Sequence, residues 1–126
     1  MPVVKRNDKR EIDPYQLSKI LEPYCTQIQF AVLEDVYAMV GQGVVSMFSF
    51  GVTKGMIMGC LGAYNIEIIR VTPSIWKINM GLSSDKQLSF NMASKLFPLQ
   101  KQMWALKKQE GIAEAVLLAK YGERFY

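Results

Sequence analysis

The stretch Phe30-Ala-Val-Leu-Glu-Asp-Val-Tyr37 decides the expected fold of this chain. It is an apolar run of β-forming residues that ends in two carboxylates, Glu34 and Asp35. Four consecutive apolar residues are typical of a strand buried on both faces, as in the centre of an α/β sheet. Because burial of an unpaired carboxylate is costly, an acid at the end of such a strand is either solvated at the rim of the sheet or part of a site. Open α/β sheets bind their ligands at that rim.

The composition limits the classes of protein to consider. The chain has 126 residues, half of them hydrophobic, which predicts one domain spanning residues 1–126. It has no histidine, so Ser-His-Asp and Cys-His nucleophiles and the common zinc sites are excluded. Cys25 and Cys60 have no metal-ligand spacing and are expected to be reduced, half-buried thiols. Residues 1–13 carry mixed charge without an apolar core, so we expect a cytoplasmic protein without a signal peptide.

Apolar periodicity and caps predict an alternation of strands and helices. Asp13-Pro14 is a good helix start, and Leu88, Met92 and Leu96 are expected to face inward on a helix over 85–96. The order of elements fits an α/β sheet of partly parallel strands. The predicted strands cover residues 27–36 and 66–71, and the predicted helices cover residues 14–22, 44–64, 85–96 and 112–120.

The predicted helix over 44–64 approaches the length that spans a membrane. It contains Lys54 and glycines at 51, 55, 59 and 62. We therefore expect it to be buried in protein and predict no membrane contact, with a membrane span as the alternative.

Positive charge is concentrated in one third of the chain. Residues 70–108 contain seven basic residues and one acid, Asp85, for a local net charge of 7 − 1 = +6. A basic surface attracts phosphate backbones, although a solvated face is the common alternative. The basic residues are Arg70, Lys77, Lys86, Lys95, Lys101, Lys107 and Lys108.

Three acids are candidates for chemistry. Glu34 ends the strand, and Glu110 and Glu114 lie one turn apart on a face of the last helix. Such a pair repels itself unless it is solvated or a divalent cation lies between the acids. Carboxylate oxygens suit Mg²⁺ or Mn²⁺, which can stabilise the displacement at a phosphodiester. Glu114 interrupts an apolar surface and is the stronger candidate of the helical pair, whereas Glu110 could equally be solvated.

Several motifs, in this order, resemble the RuvC-type Holliday junction resolvases encoded by bacteriophages and some bacteria. The similarity covers about residues 30–122, and the order and spacing of the motifs are more specific than any one of them. The resemblance implies an RNase H-like fold, a homodimer, and cleavage of four-way DNA junctions with Mg²⁺ held by four acids. The motifs are Leu33-Glu-Asp-Val36, Gly41-Gln-Gly-Val-Val-Ser-Met-Phe-Ser-Phe-Gly51, Val71-Thr-Pro-Ser-Ile-Trp-Lys77, Asp85-Lys86, Leu96-Phe-Pro98 and Lys107-Lys-Gln-Glu-Gly-Ile-Ala-Glu-Ala115.

The resemblance implies roles for individual residues. Glu34 matches the acid of the family's second strand, Glu114 its last helical acid, and Glu110 a position usually held by His or Asp. Lys77 and Lys86 match DNA-contacting lysines, and Lys107 and Lys108 extend the expected DNA-binding surface. Gln109 and Ile112 replace an Asp and an Arg of the family pattern, which predicts weaker catalysis. Phe48 and Phe50 are predicted to stack on bases, although their spacing predicts that at least one of them lies in the core.

The family's first strand, with its Asp-bearing motif, has no counterpart in this sequence. The expected fold is therefore an RNase H-like mixed sheet flanked by helices and truncated at the N-terminus, through a misplaced start, a split gene or loss. Absence of a central strand would expose the edge of the strand at 30–36, which favours pairing with another chain. We expect an obligate homodimer or larger oligomer that uses this edge or the helix over 44–64, and weak or absent cleavage.

Two functions from different classes follow from the sequence. The first is metal-dependent hydrolysis of DNA phosphodiesters at branched junctions, as in recombination and repair. The second is a catalytically impaired DNA-binding or structural remnant that dimerises. A small-molecule α/β enzyme is a weaker alternative, because the sequence contains neither a nucleotide-binding loop nor a nucleophile–base pair.

Overall fold

The computed structural model describes residues 2–6 and 9–125, without the side chains of Arg6, Lys9, Arg10 and Lys108. It is a mixed α/β structure that divides into two compact units. Unit 1 comprises residues 1–31 and 37–69, and unit 2 comprises residues 32–36 and 70–126. The mixed α/β class predicted from the sequence is confirmed.

Unit 1 begins with two antiparallel strands. β1 (Val3–Arg6) pairs antiparallel with β2 (Lys9–Ile12), with Val3 opposite Ile12. Asp13 then caps α1 (Pro14–Leu21), because its side-chain oxygen accepts the backbone N–H groups of Tyr15 and Gln16. The predicted helix start at Asp13-Pro14 is confirmed.

The long helix of unit 1 is α2 (Val44–Ala63), as the sequence predicted, but its expected burial is wrong. Of the residues of α2, Leu61 is buried. In contrast, Val44, Val45 and Phe48 are 83, 68 and 75% exposed. Within unit 1, α2 packs mainly against α1 and β2, and these two elements are too small to cover a helix of five turns. The Tyr64 hydroxyl, just beyond α2, donates to the Ser18 carbonyl of α1 at 3.0 Å.

The strand predicted over residues 27–36 is shorter and less buried than expected. β3 (Phe30–Glu34) forms a two-stranded sheet with β4 (Glu67–Val71). The Asp35 N–H donates to the Val71 carbonyl at 2.7 Å, so the carboxyl ends of the two strands lie side by side. All residues of β3 are half-buried, and the prediction of a strand buried on both faces is wrong. In the described residues, each sheet has two strands, which cannot enclose a central strand.

Unit 2 is mainly helical. It contains α3 (Pro73–Asn79), α4 (Lys86–Leu96) and α5 (Glu110–Gly122), with two 3₁₀ segments, Pro98–Trp104 and Lys107–Gln109, between α4 and α5. α4 packs mainly on α5, and the 3₁₀ segments pack on α5 as well. The apolar core of unit 2 consists of Val71, Trp76, Leu82, Ala93, Trp104, Ala113, Leu117, Leu118 and Tyr121.

The predicted inward face of α4 is wrong for Leu88 and Leu96, whereas Met92 is half-buried. Leu88 and Leu96 are 41 and 43% exposed, whereas Ser89 and Ala93 are buried. Small side chains at these two positions allow the backbones of α4 and α5 to approach closely, so the contact face is offset by one residue from the large apolar side chains.

An ion pair closes the end of the β3–β4 sheet in unit 2. Arg70 Nη2 donates to Asp35 Oδ1 at 2.8 Å, and the side chain of Asp35 is only 9% exposed. Asp35 is thus joined to β4 by two hydrogen bonds, one from its backbone N–H and one to its side chain. These bonds fix the backbone of the residue that follows Glu34.

We expect Asp35→Ala to lower the free energy of unfolding by about 2 kcal/mol, because it removes a charged hydrogen bond from a buried position. Urea denaturation followed by circular dichroism measures this change. Glu67→Ala on the exposed side of β4 is the control and should change stability by less than about 0.5 kcal/mol. Equal effects of the two substitutions would contradict a special role for the Asp35–Arg70 pair.

Candidate functional site

Two carboxylates and two ammonium groups meet in unit 2. Glu34 comes from the end of β3, Lys77 from α3, Lys86 from the first residue of α4, and Glu114 from α5. These four residues are called the lysine–carboxylate cluster below.

The position of Lys77 follows from the two ends of α3. Pro73 begins the helix, where its missing N–H is not needed, and Trp76 anchors it with a completely buried indole. Gly81 ends it with a φ of +70°, and the Leu82 N–H donates to the Lys77 carbonyl at 2.7 Å. This is the Schellman ending that favours glycine. The short helix therefore holds Lys77 next to a fixed aromatic side chain.

Lys86 and Glu114 are positioned by a cap and by a buried helix face. The Asp85 side chain accepts the Gln87 N–H at 2.9 Å, which makes Lys86 the first residue of α4. Ala113 and Leu117 are buried on α5, and Glu114 lies beside this face with a side chain only 16% exposed. The carboxylate of Glu114 is thus kept close to the packed interior.

One oxygen of Glu114 contacts both lysines. Lys86 Nζ lies 2.7 Å from Glu114 Oε1, and Lys77 Nζ lies 3.3 Å from the same oxygen. Lys77 has a side-chain exposure of 16%, whereas Lys86 is 51% exposed. Lys77 Nζ also lies 5.7 Å from the centre of the Trp76 ring, close enough for a cation–π contact. Lys77 is therefore the more constrained of the two ammonium groups.

The two carboxylates have opposite pKa shifts. Burial raises the pKa of Glu34 above its ordinary value, and the charge of Glu114 adds to this effect while Lys77 and Lys86 oppose it. Burial would also raise the pKa of Glu114, but the hydrogen bonds and charges of Lys86 and Lys77 outweigh it and lower that pKa. Glu114 is therefore firmly ionised, and Glu34 is the acid that takes up a proton more readily.

The Mg²⁺ or Mn²⁺ site that the sequence predicted stays a prediction, and in this structure a metal ion would compete with the lysines of the cluster. Such ions need several oxygen ligands, and the best-placed one, Glu114 Oε1, already contacts two ammonium groups. Among the described side chains, no group of three or more His, Cys, Asp or Glu residues could hold a metal ion. The charge of Glu114 raises the pKa of Glu34, so the structure brings these two acids together.

Glu110 lies in a neighbouring cleft of unit 2, together with Lys86 and Lys107. Lys107 is exposed, and the side chain of Lys108 lies outside the described residues. Phe48 and Phe50 are on α2 in unit 1 and are 75 and 48% exposed, so the expectation that one of them lies in the core is wrong.

Sequence reasoning missed the aromatic contribution to this part of unit 2. Trp76 and Trp104 are at most 1% exposed and shape the surroundings of the lysines. Trp76 Nε1 has no hydrogen-bond partner of good geometry in the described residues, yet its N–H slightly favours the ionised form of Glu34 by lowering its pKa. Two tryptophans within the basic third of the sequence were the available signal.

Comparison with known proteins leaves the family of this chain open, since no protein-family model and no curated protein matches it.

We expect Glu114→Gln to lower the free energy of unfolding by about 1 kcal/mol at pH 7, because it leaves two lysines without their carboxylate. Glu34→Gln should leave stability unchanged or slightly increased, since it removes a carboxylate for which ionisation is unfavourable. Urea denaturation at pH 7 measures both effects.

The stabilisation that Glu114 contributes depends on pH in a defined direction. The stabilisation from Glu114 is present above its unfolded pKa and is lost as the pH falls through its lowered folded pKa. The gap between wild type and Glu114→Gln should therefore shrink as the pH falls below the ordinary glutamate pKa of 4.5. Glu123→Gln, whose partner Lys120 lies 2.8 Å away on the surface, is the control and should show little change. A gap that stays constant with pH would contradict the assigned pairing.

Proposed function

We propose that this chain binds branched DNA as a divergent relative of the RuvC-type resolvases, with weak or absent cleavage of its own. The single observation that supports this proposal most is the lysine–carboxylate cluster. It brings Lys77 and Lys86 within 3.3 Å of one oxygen, next to the acid at the end of β3. An RNase H-like arrangement of the complete fold is part of the same proposal.

The charge of unit 2 supports DNA as the partner. All seven basic residues of the region 70–108 belong to this unit, and Lys107 and Lys86 are exposed. Exposed lysines neutralise phosphates and release counterions, so binding of this kind weakens steeply with salt. The Glu114 carboxylate competes with a phosphate for the ammonium groups of Lys77 and Lys86. A bound phosphodiester would have to share these two ammonium groups with Glu114.

Metal-dependent hydrolysis of the junction is the second candidate function. The specific observation that favours it is the convergence of Glu34 and Glu114, which come from different elements and influence each other's charge. Recombination or repair of DNA in the cytoplasm of a bacterial or phage-infected cell would be the setting of either function.

Binding of a four-way DNA junction tests both candidates. We expect binding in Ca²⁺ and no cleavage in Mg²⁺ or Mn²⁺. Lys77→Gln and Lys86→Gln should each weaken binding about three- to tenfold and reduce the salt dependence by about one phosphate contact. Glu114→Gln should bind more tightly, because it frees two lysines. Fluorescence anisotropy and gel electrophoresis measure affinity and cleavage.

Lys120→Gln is the matched control, since Lys120 also pairs with a glutamate but lies outside the cluster. Robust cleavage in Mg²⁺ that is lost in Glu34→Gln would favour the nuclease instead. Failure of the wild type to bind junction DNA at low salt would overturn both candidates.

The proposed assembly is a homodimer that uses α2 of unit 1. An 18-residue window of this helix has a mean hydropathy of 1.5, and its exposed apolar surface is of the kind that marks an interaction site. By length and composition α2 could cross a membrane, a test that core helices of soluble proteins also pass. A methyl group added at Gly51, Gly55, Gly59 or Gly62 would meet no atom within 4 Å, so another backbone could approach this stripe.

Gly55→Leu tests the dimer without disturbing the single chain. The substitution fills open space and improves helix propensity by up to about 1 kcal/mol, but its side chain would block a close helix–helix contact. We expect light scattering at micromolar concentration to give a dimer for the wild type and a monomer for Gly55→Leu, with Gly55→Ala between them. A monodisperse wild-type monomer, or a dimer unaffected by leucine, would contradict this proposal.

A further inference from the structure

A cleft of about 350 Å³ lies beside the lysine–carboxylate cluster in unit 2. It is bounded by α4, the 3₁₀ segments and the start of α5, and Lys86 belongs both to the cleft and to the cluster. Its volume is at the lower end of the range for small-ligand sites, roughly 300–1,000 Å³. The cleft is called the aromatic cleft below. It is lined by Lys86, Gln87, Phe90, Trp104, Ala105, Leu106, Lys107 and Glu110.

The apolar part of the aromatic cleft suits a flat ring. Trp104 is 1% exposed, and its Nε1 donates to Ser94 Oγ at 3.0 Å, so its indole is a fixed part of the wall. Phe90 is half-buried, and Leu106 is 56% exposed although it is apolar. Aromatic and aliphatic side chains that are partly open to solvent provide surfaces on which a nucleobase stacks.

The polar part of the aromatic cleft carries both signs of charge. Lys86 and Lys107 supply two cations, and Glu110 supplies a carboxylate. A free phosphate gains no favourable contact with Glu110, because both groups are negative. A nucleotide has an anionic phosphate for the lysines and polar base edges, including amino groups, for the carboxylate. The mixed charge therefore favours a nucleotide over an anion alone.

We propose that the aromatic cleft receives one unstacked nucleotide of branched DNA, with its base against Phe90 and Leu106 and its phosphate at Lys86 and Lys107. This inference rests on the proposed DNA binding and deepens it. Extruding a base is least costly where the base is unpaired or poorly stacked, as at the exchange point of a branch. Glu110 is then a contact to the base edge, a role different from metal coordination.

The test uses junction DNA with the fluorescent base 2-aminopurine at the exchange point or within one arm. Wild type should raise the fluorescence at the exchange point, because the base leaves its stack, and should leave the arm unchanged. Phe90→Ala should remove this signal and weaken binding about tenfold. Leu106→Ala should also reduce the fluorescence signal and the affinity. Because Leu106 is exposed, this variant should fold even if Phe90→Ala does not.

Two matched controls lie in the neighbouring 3₁₀ segment. Leu99 is 90% exposed and does not line the aromatic cleft, so Leu99→Ala controls for Leu106→Ala. Lys101 is exposed outside the cleft, so Lys101→Gln controls for Lys107→Gln. We expect Lys107→Gln to lower both affinity and the fluorescence change. Lys101→Gln should lower affinity by less than about twofold, as expected for a non-specific surface charge.

The outcomes separate this inference from the proposed function. Suppose that the wild type binds the junction without a fluorescence change, and that Leu106→Ala and Leu99→Ala bind it with equal affinity. This result would overturn the nucleotide site and leave DNA binding intact. Equal effects of Lys107→Gln and Lys101→Gln on affinity and fluorescence would also overturn it. Absence of any junction binding by the wild type would overturn the proposed function, and the nucleotide site with it.

Discussion

The contact of two lysines with one oxygen of Glu114 is the constraint on which the candidate site depends. Two half-buried carboxylates would repel each other, and neither would be stable in its ionised form near the packed interior. Lys77 and Lys86 supply the opposite charges at 3.3 and 2.7 Å. Because the lysines come from α3 and α4 and the acids from β3 and α5, this charge balance also links four elements of unit 2.

The same charge balance distinguishes the cluster from a group of carboxylates alone. In a site built for a divalent cation, carboxylates converge on a position that the ion fills. Here ammonium groups occupy the environment of Glu114, and they also remain the groups best suited to a phosphate. In the proposed function the lysines of unit 2 bind DNA, and the acids beside them are tolerated.

The aromatic cleft extends this surface toward the α4–α5 end of the unit. Trp104 and Phe90 form its apolar wall, while Lys86 joins it to the lysine–carboxylate cluster. One lysine thus lies where a phosphate contact and a base contact would meet. Specific recognition of a branch needs both kinds of contact, since phosphate contacts position a duplex and base contacts distinguish its parts.

The sequence by itself determined the local features. The Asp13 cap, the helices that begin at Pro14 and Lys86 and the strand that ends at Val71 follow from short-range rules of capping and periodicity. The concentration of lysines in residues 70–108 was also visible in the sequence. Tertiary structure alone decided burial and partnership. The exposure of α2 and the offset face of α4 depend on which elements pack together, and no local pattern encodes that. The joint contact of Lys77 and Lys86 with Glu114 spans 37 and 28 positions of sequence, which only the packing of α3 and α4 beside α5 brings together.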